Sequence, residues 1–266
     1  MQQPSPNDDV LLRDTDTRGV AVLTLNRPQA FNALSDALLD ALQRQIDALQ
    51  HDESVRVVII RGAGRAFCAG HDLKEMRAQP SAAYYQSLFG RCSKVMTGLM
   101  RLPQPVIAQV HGIATAAGCQ LVASCDLAVA AHDARFAVSG VNYGLFCSTP
   151  GVALARNLLR KPAMEMLLTG EFIDAATAQQ RGLVNRVAAA GELDAEVERL
   201  VRSILDKPAA AVRLGKELFY RQVETGVDAA YQLAAQTMTC NMLDACALEG
   251  VQAFIDKRQP AWRQPG

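Results

Sequence analysis

The chain has 266 residues, half of them apolar, which is enough to bury the core of one large domain. Its 27 basic and 27 acidic side chains cancel, and no block of like charge marks a nucleic-acid or membrane surface. Affinity for an anionic ligand must therefore come from a local site.

Strands and helices alternate from the start of the chain. Residues 19–25 are predicted as a strand that ends before Pro28. Ser35 is a good N-cap for an amphipathic helix that runs to about Gln50. The β-branched run 55–61 is typical of a strand that is buried on both faces.

The same alternation continues to about residue 130. A helix is predicted from about Ala82 to Leu102, followed by a buried strand over 105–110. A short helix should open near Ala116, before a strand over 127–130. This order of elements predicts an α/β domain with crossover connections.

Beyond about residue 150 the pattern becomes helical. Only residues 183–187 keep a strand pattern, whereas apolar residues recur at helical spacing from 197 to 218 and along 227–255.

The N-terminal residues 1–19 are polar and acidic, without the basic start and apolar stretch of a secretory signal. Seven cysteines are scattered without a Cys-x-x-Cys pair, and no apolar run reaches about 18 residues. The four histidines show no ligand spacing, so no metal site is predicted. These features favour a cytoplasmic protein with reduced thiols and no membrane span.

Two loops rich in small residues each follow a buried strand and lead into a predicted helix. They are residues 64–73 (GRAFCAGHDL) and 111–121 (HGIATAAGCQL). Small residues allow close approach of a ligand, and free N–H groups at a helix start favour developing negative charge. Two such loops facing each other could form an oxyanion hole. Taken alone, such turns are more often packing devices, and neither loop matches a P-loop or a dinucleotide fingerprint.

Several motifs resemble, in order, those of the enoyl-CoA hydratase/isomerase (crotonase) superfamily. The matching segments are 26–28 with 32–34, 66–73, 110–112 continuing to 125–126, 163–170 with 182–184, and 254–262. They cover nearly the whole chain from about Val20. Residues 119–126 and 144–151 are similar, more specifically, to the subgroup called enoyl-CoA hydratase domain-containing protein 3.

The resemblance implies an α/β crotonase (ClpP/crotonase-like) fold, a superhelix of repeated ββα units followed by a helical region. The implied divisions are a flexible N-terminus over 1–17, a core over 18–195 and a helical trimerisation region over 196–266. It also implies a homotrimer or dimer of trimers. The substrate would be an acyl- or enoyl-CoA thioester, with no metal or prosthetic group.

The resemblance also places the two hole donors. The first is the backbone N–H of His71, which follows Ala69 and Gly70 in the loop that holds the acyl-CoA. The second falls on Ala117, where the family usually has glycine. Because only a main-chain donor is needed, alanine can serve if its φ is helical.

For the CoA group, the resemblance points to the C-terminal end of the chain. Phe254 and Lys257 match the family's adenine- and phosphate-facing positions, and lysine is a suitable point charge for phosphate. Without the resemblance, Lys257 would be read as a solvated charge on the final helix. Lys74 could likewise be a phosphate contact or a solvated charge.

Both acids of typical hydratases are replaced. Gln120 and Gly140 stand at the two catalytic glutamate positions when the resemblance is followed without gaps. Glutamine can hydrogen-bond a water but cannot exchange a proton near neutral pH, and glycine can do neither. A positioned acid or base contributes about 10²–10⁴-fold in rate. Efficient hydration by the usual mechanism is therefore not expected.

Other polar side chains offer alternatives. Cys147 or Ser148 could be a nucleophile, but no dedicated base is evident, so structural roles are favoured for both and for Cys119. The His71 side chain could reach a bound water or a CoA phosphate, or it could point to solvent.

Three further polar residues are predicted to have structural roles. Asp72 and Asp126 are predicted to cap or orient backbone, and His111 to be a packed or loop residue.

Three functions stay open at this point. The first is an enzyme acting on acyl- or enoyl-CoA, nominally an enoyl-CoA hydratase in fatty-acid metabolism. The second is a non-catalytic acyl-CoA-binding protein. The third is another thioester reaction, hydrolysis or double-bond isomerisation.

Overall fold

The structure is a computed structural model that describes residues 10–263. Its strands are β1 (Leu11–Thr15), β2 (Val20–Leu25), β3 (Val57–Gly62), β4 (Val106–Val110), β5 (Ile113–Thr115), β6 (Leu127–Ala131), β7 (Arg135–Ala137), β8 (Ile173–Asp174) and β9 (Arg186–Ala188). Its helices are α1 (Asp36–Leu49), α2 (Leu73–Ala78), α3 (Ala82–Arg101), α4 (Ala117–Ala123), α5 (Ser148–Asn157), α6 (Arg160–Thr169), α7 (Ala175–Gln180), α8 (Leu193–Leu205), α9 (Ala209–Gln222), α10 (Val227–Met242) and α11 (Ala245–Ile255). Short 3₁₀ turns cover Pro28–Ala30, Ser139–Tyr143 and Ala261–Arg263.

The core is a sheet covered by helices on both faces. Its strand order is β1-β2-β3-β4-β6-β9, with β1 antiparallel and the other pairs parallel. Alternate residues of β3 separate the faces: Val58 packs with α1 and α3, whereas Val57 packs with α8. Parallel strands covered on both faces read as continuous apolar runs, which is why the sequence predicted β3 and β4.

The predicted α/β architecture is confirmed, and most predicted elements lie within a few residues of their expected positions. Ser35 caps α1 as predicted, because its hydroxyl oxygen accepts a hydrogen bond from Leu38 N at 3.2 Å. The stretch 227–255, which is predicted to be helical, forms two helices. Met242 ends α10, and the carboxylate of Asp244 caps α11 by accepting from Cys246 N at 2.8 Å.

Four short strands were not predicted. β1 lies within the segment expected to be flexible over 1–17, and its residues 11–15 pair with β2. Within β1 only Leu11 is buried, so the sequence shows no alternating pattern. Residues 1–9 of that segment lie outside the described residues. β5, β7 and β8 form a second sheet, and at two or three residues each they are too short to show a period.

Helix α8 spans the predicted start of the helical C-terminal region. The expected division between 195 and 196 falls inside α8, which packs on the sheet through Val197, Leu200 and Val201. The region that leaves the sheet therefore starts after Leu205. In the described part of the chain, no helix is both long and apolar enough to cross a bilayer.

Candidate functional site

Backbone pairing holds the first predicted loop against the second. Cys68 N donates to Ile113 O at 3.1 Å, and Thr115 N donates to Cys68 O at 3.0 Å, which makes a parallel bridge between Cys68 and Ala114. The first loop thus pairs with β5 as a further parallel strand would. This pairing brings residues about 45 positions apart into one site.

A second parallel bridge orients the N–H of His71. Leu34 N donates to Gly70 O at 2.7 Å, and Asp72 N donates to Leu34 O at 3.2 Å. Since the flanking residues make both bonds to Leu34, the N–H of His71 points to the opposite side of the chain. Among the described residues it donates to no other backbone group.

The second loop ends in a strained residue that opens α4. Ala116 has φ 51° and ψ −120°, a conformation that costs a residue other than glycine about 1–3 kcal/mol. It redirects the chain from β5 into α4, whose first helical residue is Ala117. The first N–H groups of a helix have no partner within that helix. Ala117 therefore meets the requirement for a helical backbone and carries an available N–H.

Two glycines allow the loops to touch. A β-carbon on Gly118 would collide with the carbonyl oxygen of Cys68. A β-carbon on Gly70 would lie 2.8 Å from Ala116 Cβ and 3.2 Å from Ala117 N. The residue that precedes His71 is therefore packed directly against the start of α4, which places both candidate donors side by side.

A cavity of about 280 Å³ opens in front of these loops. Its lining comes from both loops, α2, α3 and residues 139–150: Ala69, His71, Leu73, Met76, Phe89, Ala116, Ala117, Ser139, Gly140, Tyr143, Leu145, Phe146, Cys147, Ser148, Thr149 and Pro150. None of these is Asp, Glu, Lys or Arg. The cavity can therefore hold an apolar group beside two N–H donors, but it offers no carboxylate for proton transfer.

Gly140 lines the cavity, yet it has no room for a side chain. A β-carbon there would lie 2.7 Å from Cys147 Sγ and would collide with Leu145 O. Gly140 N donates to Cys147 Sγ at 3.3 Å. Burial raises the pKa of the Cys147 thiol, and this N–H offsets the effect only in part. At neutral pH the group is a thiol rather than a reactive thiolate.

The other predicted catalytic position, Gln120, does not line the cavity. It lies on α4 and is only 4% exposed. Its Oε1 has no hydrogen-bond partner among the described residues. The structure thus brings together Ala69, Gly70, His71, Ala117 and Gly140. Gln120 is buried in α4 outside the cavity.

The ring of His71 is enclosed by protein. It meets Phe89 edge-on, with ring centroids 5.6 Å apart. Within the described chain, neither ring nitrogen is accessible or has a hydrogen-bond partner. Burial lowers the pKa of His71 to about 4, and the Leu34 backbone and the charge of Asp36 oppose this effect only in part. The alternative that the side chain points to solvent is therefore wrong, and the imidazole is neutral at pH 7.

Asp72 has the capping role that the sequence predicted. Its carboxylate accepts from Lys74 N at 3.0 Å and pairs with Arg27 at 2.9 Å. Burial alone would raise the pKa of Asp72, but Arg27 and the backbone donors hold it below its usual value. Arg27 also donates to Ala33 O at 2.6 Å. The motif at residues 26–28 thereby fixes the loop that carries His71.

Asp126 orients the backbone, as predicted, and has two further partners that the sequence did not reveal. Its carboxylate accepts from Val106 N at 2.6 Å, from Lys216 Nζ at 2.6 Å and from Tyr220 Oη at 2.9 Å. Lys216 is only 7% exposed along its side chain, and burial lowers its pKa, opposed by Asp126. This cluster joins α9 to the start of β4, away from the cavity.

The other predicted residues have structural positions. His111 is a loop residue, with Nε2 2.8 Å from Gly64 O. Cys119 is fully buried, which raises the pKa of its thiol to about 12. Ser148 lines the cavity and donates to Phe146 O at 3.4 Å. In the described chain, no three His, Cys, Asp or Glu side chains are grouped as a metal site requires.

The predicted CoA-binding residues do not line this cavity. Phe254 on α11 is 84% exposed, and Lys257 follows the helix in a left-handed conformation with φ 55°. Conversely, sequence analysis did not identify the apolar lining residues Leu73, Met76 and Phe89. The available signal was the pair of apolar residues Leu73 and Met76, at the end of the first loop and three residues beyond it.

Known proteins share both sequence and structure with this chain. A family model described as enoyl-CoA hydratase/isomerase matches residues 15–265. Enoyl-CoA hydratase domain-containing protein 3, mitochondrial, of Xenopus laevis is 47% identical over 244 residues, which are 92% of this chain and 83% of that protein.

Solved structures agree. The crystal structure of an enoyl-CoA hydratase from Mycobacterium smegmatis has a TM-score of 0.95 and 63% sequence identity, and the match covers 97% of this chain and all of that one. The human enoyl-CoA hydratase domain-containing protein 3 has a TM-score of 0.91 and 44% identity, with 95% of this chain and 100% of that chain covered.

Proposed function

Because this chain belongs to the enoyl-CoA hydratase/isomerase family, in the subgroup of enoyl-CoA hydratase domain-containing protein 3, we propose that it binds an acyl- or enoyl-CoA thioester. It has the crotonase fold. The thioester oxygen would accept hydrogen bonds from the N–H groups of His71 and Ala117. The single observation that carries this proposal is the contact between Gly70 and the start of α4, beside an apolar cavity.

Such a pair of donors stabilises charge that develops on the oxygen. When Cα of the thioester becomes anionic, the negative charge moves to that oxygen as an enolate. Loss of one preorganised donor typically costs about 3–4 kcal/mol of transition-state stabilisation. The apolar lining excludes water, which strengthens both hydrogen bonds.

Hydration also needs groups that move protons. We propose slow hydratase-like turnover in fatty-acid metabolism, with the two N–H donors as the main source of catalysis. Cys147 is a protonated thiol in the cavity, and the ring nitrogens of His71 are occluded. Neither of the positions of the usual glutamates presents an acid to the cavity.

A second candidate is a non-catalytic acyl-CoA-binding protein. The packing of Cys147 and Leu145 around Gly140 favours it, because this packing fills the space of the missing acid. Hydrolysis and isomerisation remain further hypotheses for the thiol of Cys147 or the hydroxyl of Ser148.

Calorimetry separates binding from chemistry. Butyryl-CoA should bind at least tenfold more tightly than S-butyl-CoA, a thioether without the carbonyl oxygen. Equal affinities would exclude the proposed hole.

Loss of crotonyl-CoA absorbance then measures hydration. Slow turnover supports the enzyme, no turnover on any thioester supports the binding protein, and turnover matching that of an enoyl-CoA hydratase with both glutamates would contradict both.

We also propose that the C-terminal helices mediate a homotrimer or a dimer of trimers. Apart from the side chain of Lys216, helices α9 and α10 are at least partly exposed along their length, and Ala253 is the one residue of α11 that is buried. The exposed large apolar side chains in these helices or directly after them are Phe219, Val223, Val227, Tyr231, Met238, Met242, Leu243, Leu248, Val251, Phe254 and Ile255. An apolar surface of this extent marks an interface. Sedimentation should give a multiple of three chains, and a monomer would contradict the proposal.

For the CoA group, we keep Phe254 and Lys257 as proposed contacts to adenine and phosphate. Lys257→Ala should weaken binding of butyryl-CoA but not of butyryl-N-acetylcysteamine, which lacks the nucleotide. Equal effects on the two would exclude this role. A cytoplasmic location remains our proposal, and cell fractionation tests it.

A further inference from the structure

Four large apolar side chains surround the opening of the cavity, and we call them the rim. They are Leu73, Tyr143, Leu145 and Phe146, with exposures of 56%, 75%, 45% and 45%. All four line the same cavity as His71 and Ala117. Large apolar groups clustered in water around an opening are costly and mark a binding surface.

The cavity is small. Its volume of about 280 Å³ lies near the lower end of ligand pockets, which range from about 300 to 1,000 Å³. An acyl chain whose carbonyl oxygen lies at His71 and Ala117 would soon fill it. Because the rim side chains line the same cavity and are partly exposed, the outer part of a longer chain would lie against them.

The backbone of residues 140–148 fixes the position of the rim. Leu145 N donates to Gly140 O at 3.0 Å, and Ser148 N donates to Phe146 O at 2.8 Å. Gly144 takes a left-handed φ of 76°, which reverses the chain between Gly140 and Leu145. The backbone that carries Tyr143, Leu145 and Phe146 is therefore fixed by hydrogen bonds, whereas these three side chains stay partly exposed.

We propose that the rim binds the distal methylenes of a long, uncharged acyl chain, so that affinity rises with chain length. This inference rests on the proposed function, since the hole fixes where the chain begins. The absence of Asp, Glu, Lys and Arg from the lining makes a carboxylate-bearing acyl group unfavourable. The pantetheine arm and a second protein copy are the competing occupants.

The size of the effect follows from burial of methylene groups. A fully buried methylene contributes about 0.8 kcal/mol, or about fourfold in affinity. Because the rim leaves one side of the chain in water, we expect about twofold for each added methylene. The eight methylenes that separate butyryl-CoA from dodecanoyl-CoA then give an increase on the order of a hundredfold.

Calorimetry with butyryl-, octanoyl- and dodecanoyl-CoA, all below their micelle concentrations, tests this inference. In the protein with Leu145→Ser and Phe146→Ser, we expect most of the increase from butyryl to dodecanoyl to be lost. Phe146→Ser alone should show an intermediate loss. Leu12→Ser is the matched control, since Leu12 is 46% exposed on β1, away from the cavity, and it should keep the full increase.

The other outcomes would each overturn the inference in a recognisable way. An equal loss for all three ligands would assign the rim to pantetheine. A changed sedimentation coefficient of the double variant would assign the rim to a contact between copies. Butyryl-CoA binding without any increase with chain length would refute the rim but leave the proposed function intact. If no thioester binds, the proposed function fails as well.

Discussion

The sulfur of Cys147 lies 2.7 Å from the point where Gly140 would carry a β-carbon. The same β-carbon would collide with the carbonyl oxygen of Leu145. Cys147 and the backbone of Leu145 therefore occupy the space in which a typical hydratase, by resemblance, would place its second acid.

This contact predicts that even one methyl group is too large at position 140. Gly140→Ala should lower the free energy of unfolding by about 1–3 kcal/mol, the usual cost of overpacking. Gly90→Ala is the matched control: Gly90 lies in α3 with nothing within 4 Å of its added β-carbon. It should stabilise the protein by about 0.5–1 kcal/mol. Urea unfolding measures both variants, and an unaffected Gly140→Ala would show that the site has room for an acid.

The strain at Ala116 predicts a stabilising substitution. Glycine adopts φ 51° and ψ −120° readily, so Ala116→Gly should relieve about 1–3 kcal/mol of strain while losing about 0.5–1 kcal/mol to backbone entropy. We expect a net gain near 1 kcal/mol and a higher Tm. Ala114→Gly, in buried β5, has no strain to relieve and should lower the Tm. Destabilisation by both variants would contradict the strain at Ala116.

The buried imidazole of His71 predicts an acid-dependent loss of stability. Its folded pKa of about 4 lies below the ordinary 6.5, so the unfolded chain binds the proton more tightly. The stability that the neutral imidazole gives the folded protein is therefore complete above pH 6.5 and is lost as the pH falls to about 4. The loss is roughly 3 kcal/mol at 1.36 kcal/mol for each pKa unit. Denaturant unfolding between pH 4 and 8 should show this slope, and His71→Leu should lack it. Parallel curves for the two proteins would refute the neutral buried imidazole.

The ion pair of Lys216 and Asp126 predicts strong coupling between α9 and the sheet. Lys216→Met leaves a buried carboxylate without its ammonium partner and removes the donor to Leu99 O and Gln104 O. Removal of one partner of a buried pair typically costs about 3–5 kcal/mol. The double variant with Asp126→Asn should recover part of this loss in urea unfolding. Additive effects of the two substitutions would show that the residues do not interact.

The sequence predicted those parts of the fold that carry a long periodic pattern. Helices α1 and α3 and strands β3 and β4 bury continuous apolar faces, so their positions follow from spacing alone. β1 could not be predicted in this way, because four of its five residues are not buried. Its pairing with β2 is a property of the folded sheet.

The candidate site shows a similar division. The loops with His71 and Ala117 were predictable because small residues and helix starts are visible in sequence. The packing of Cys147 against Gly140 was not, since it depends on how residues 140–147 turn back on themselves. The Lys216–Asp126 pair was not predictable either, because its members are 90 residues apart in the sequence.

A structure with a bound, unreactive acyl-CoA analogue gives the most direct test of the central claim. We expect the carbonyl oxygen of the analogue within about 2.7–3.1 Å of both His71 N and Ala117 N, the range for an oxyanion hole. A carbonyl oxygen that contacts only one of these nitrogens, or that points into solvent while the acyl chain fills the cavity, would contradict the account.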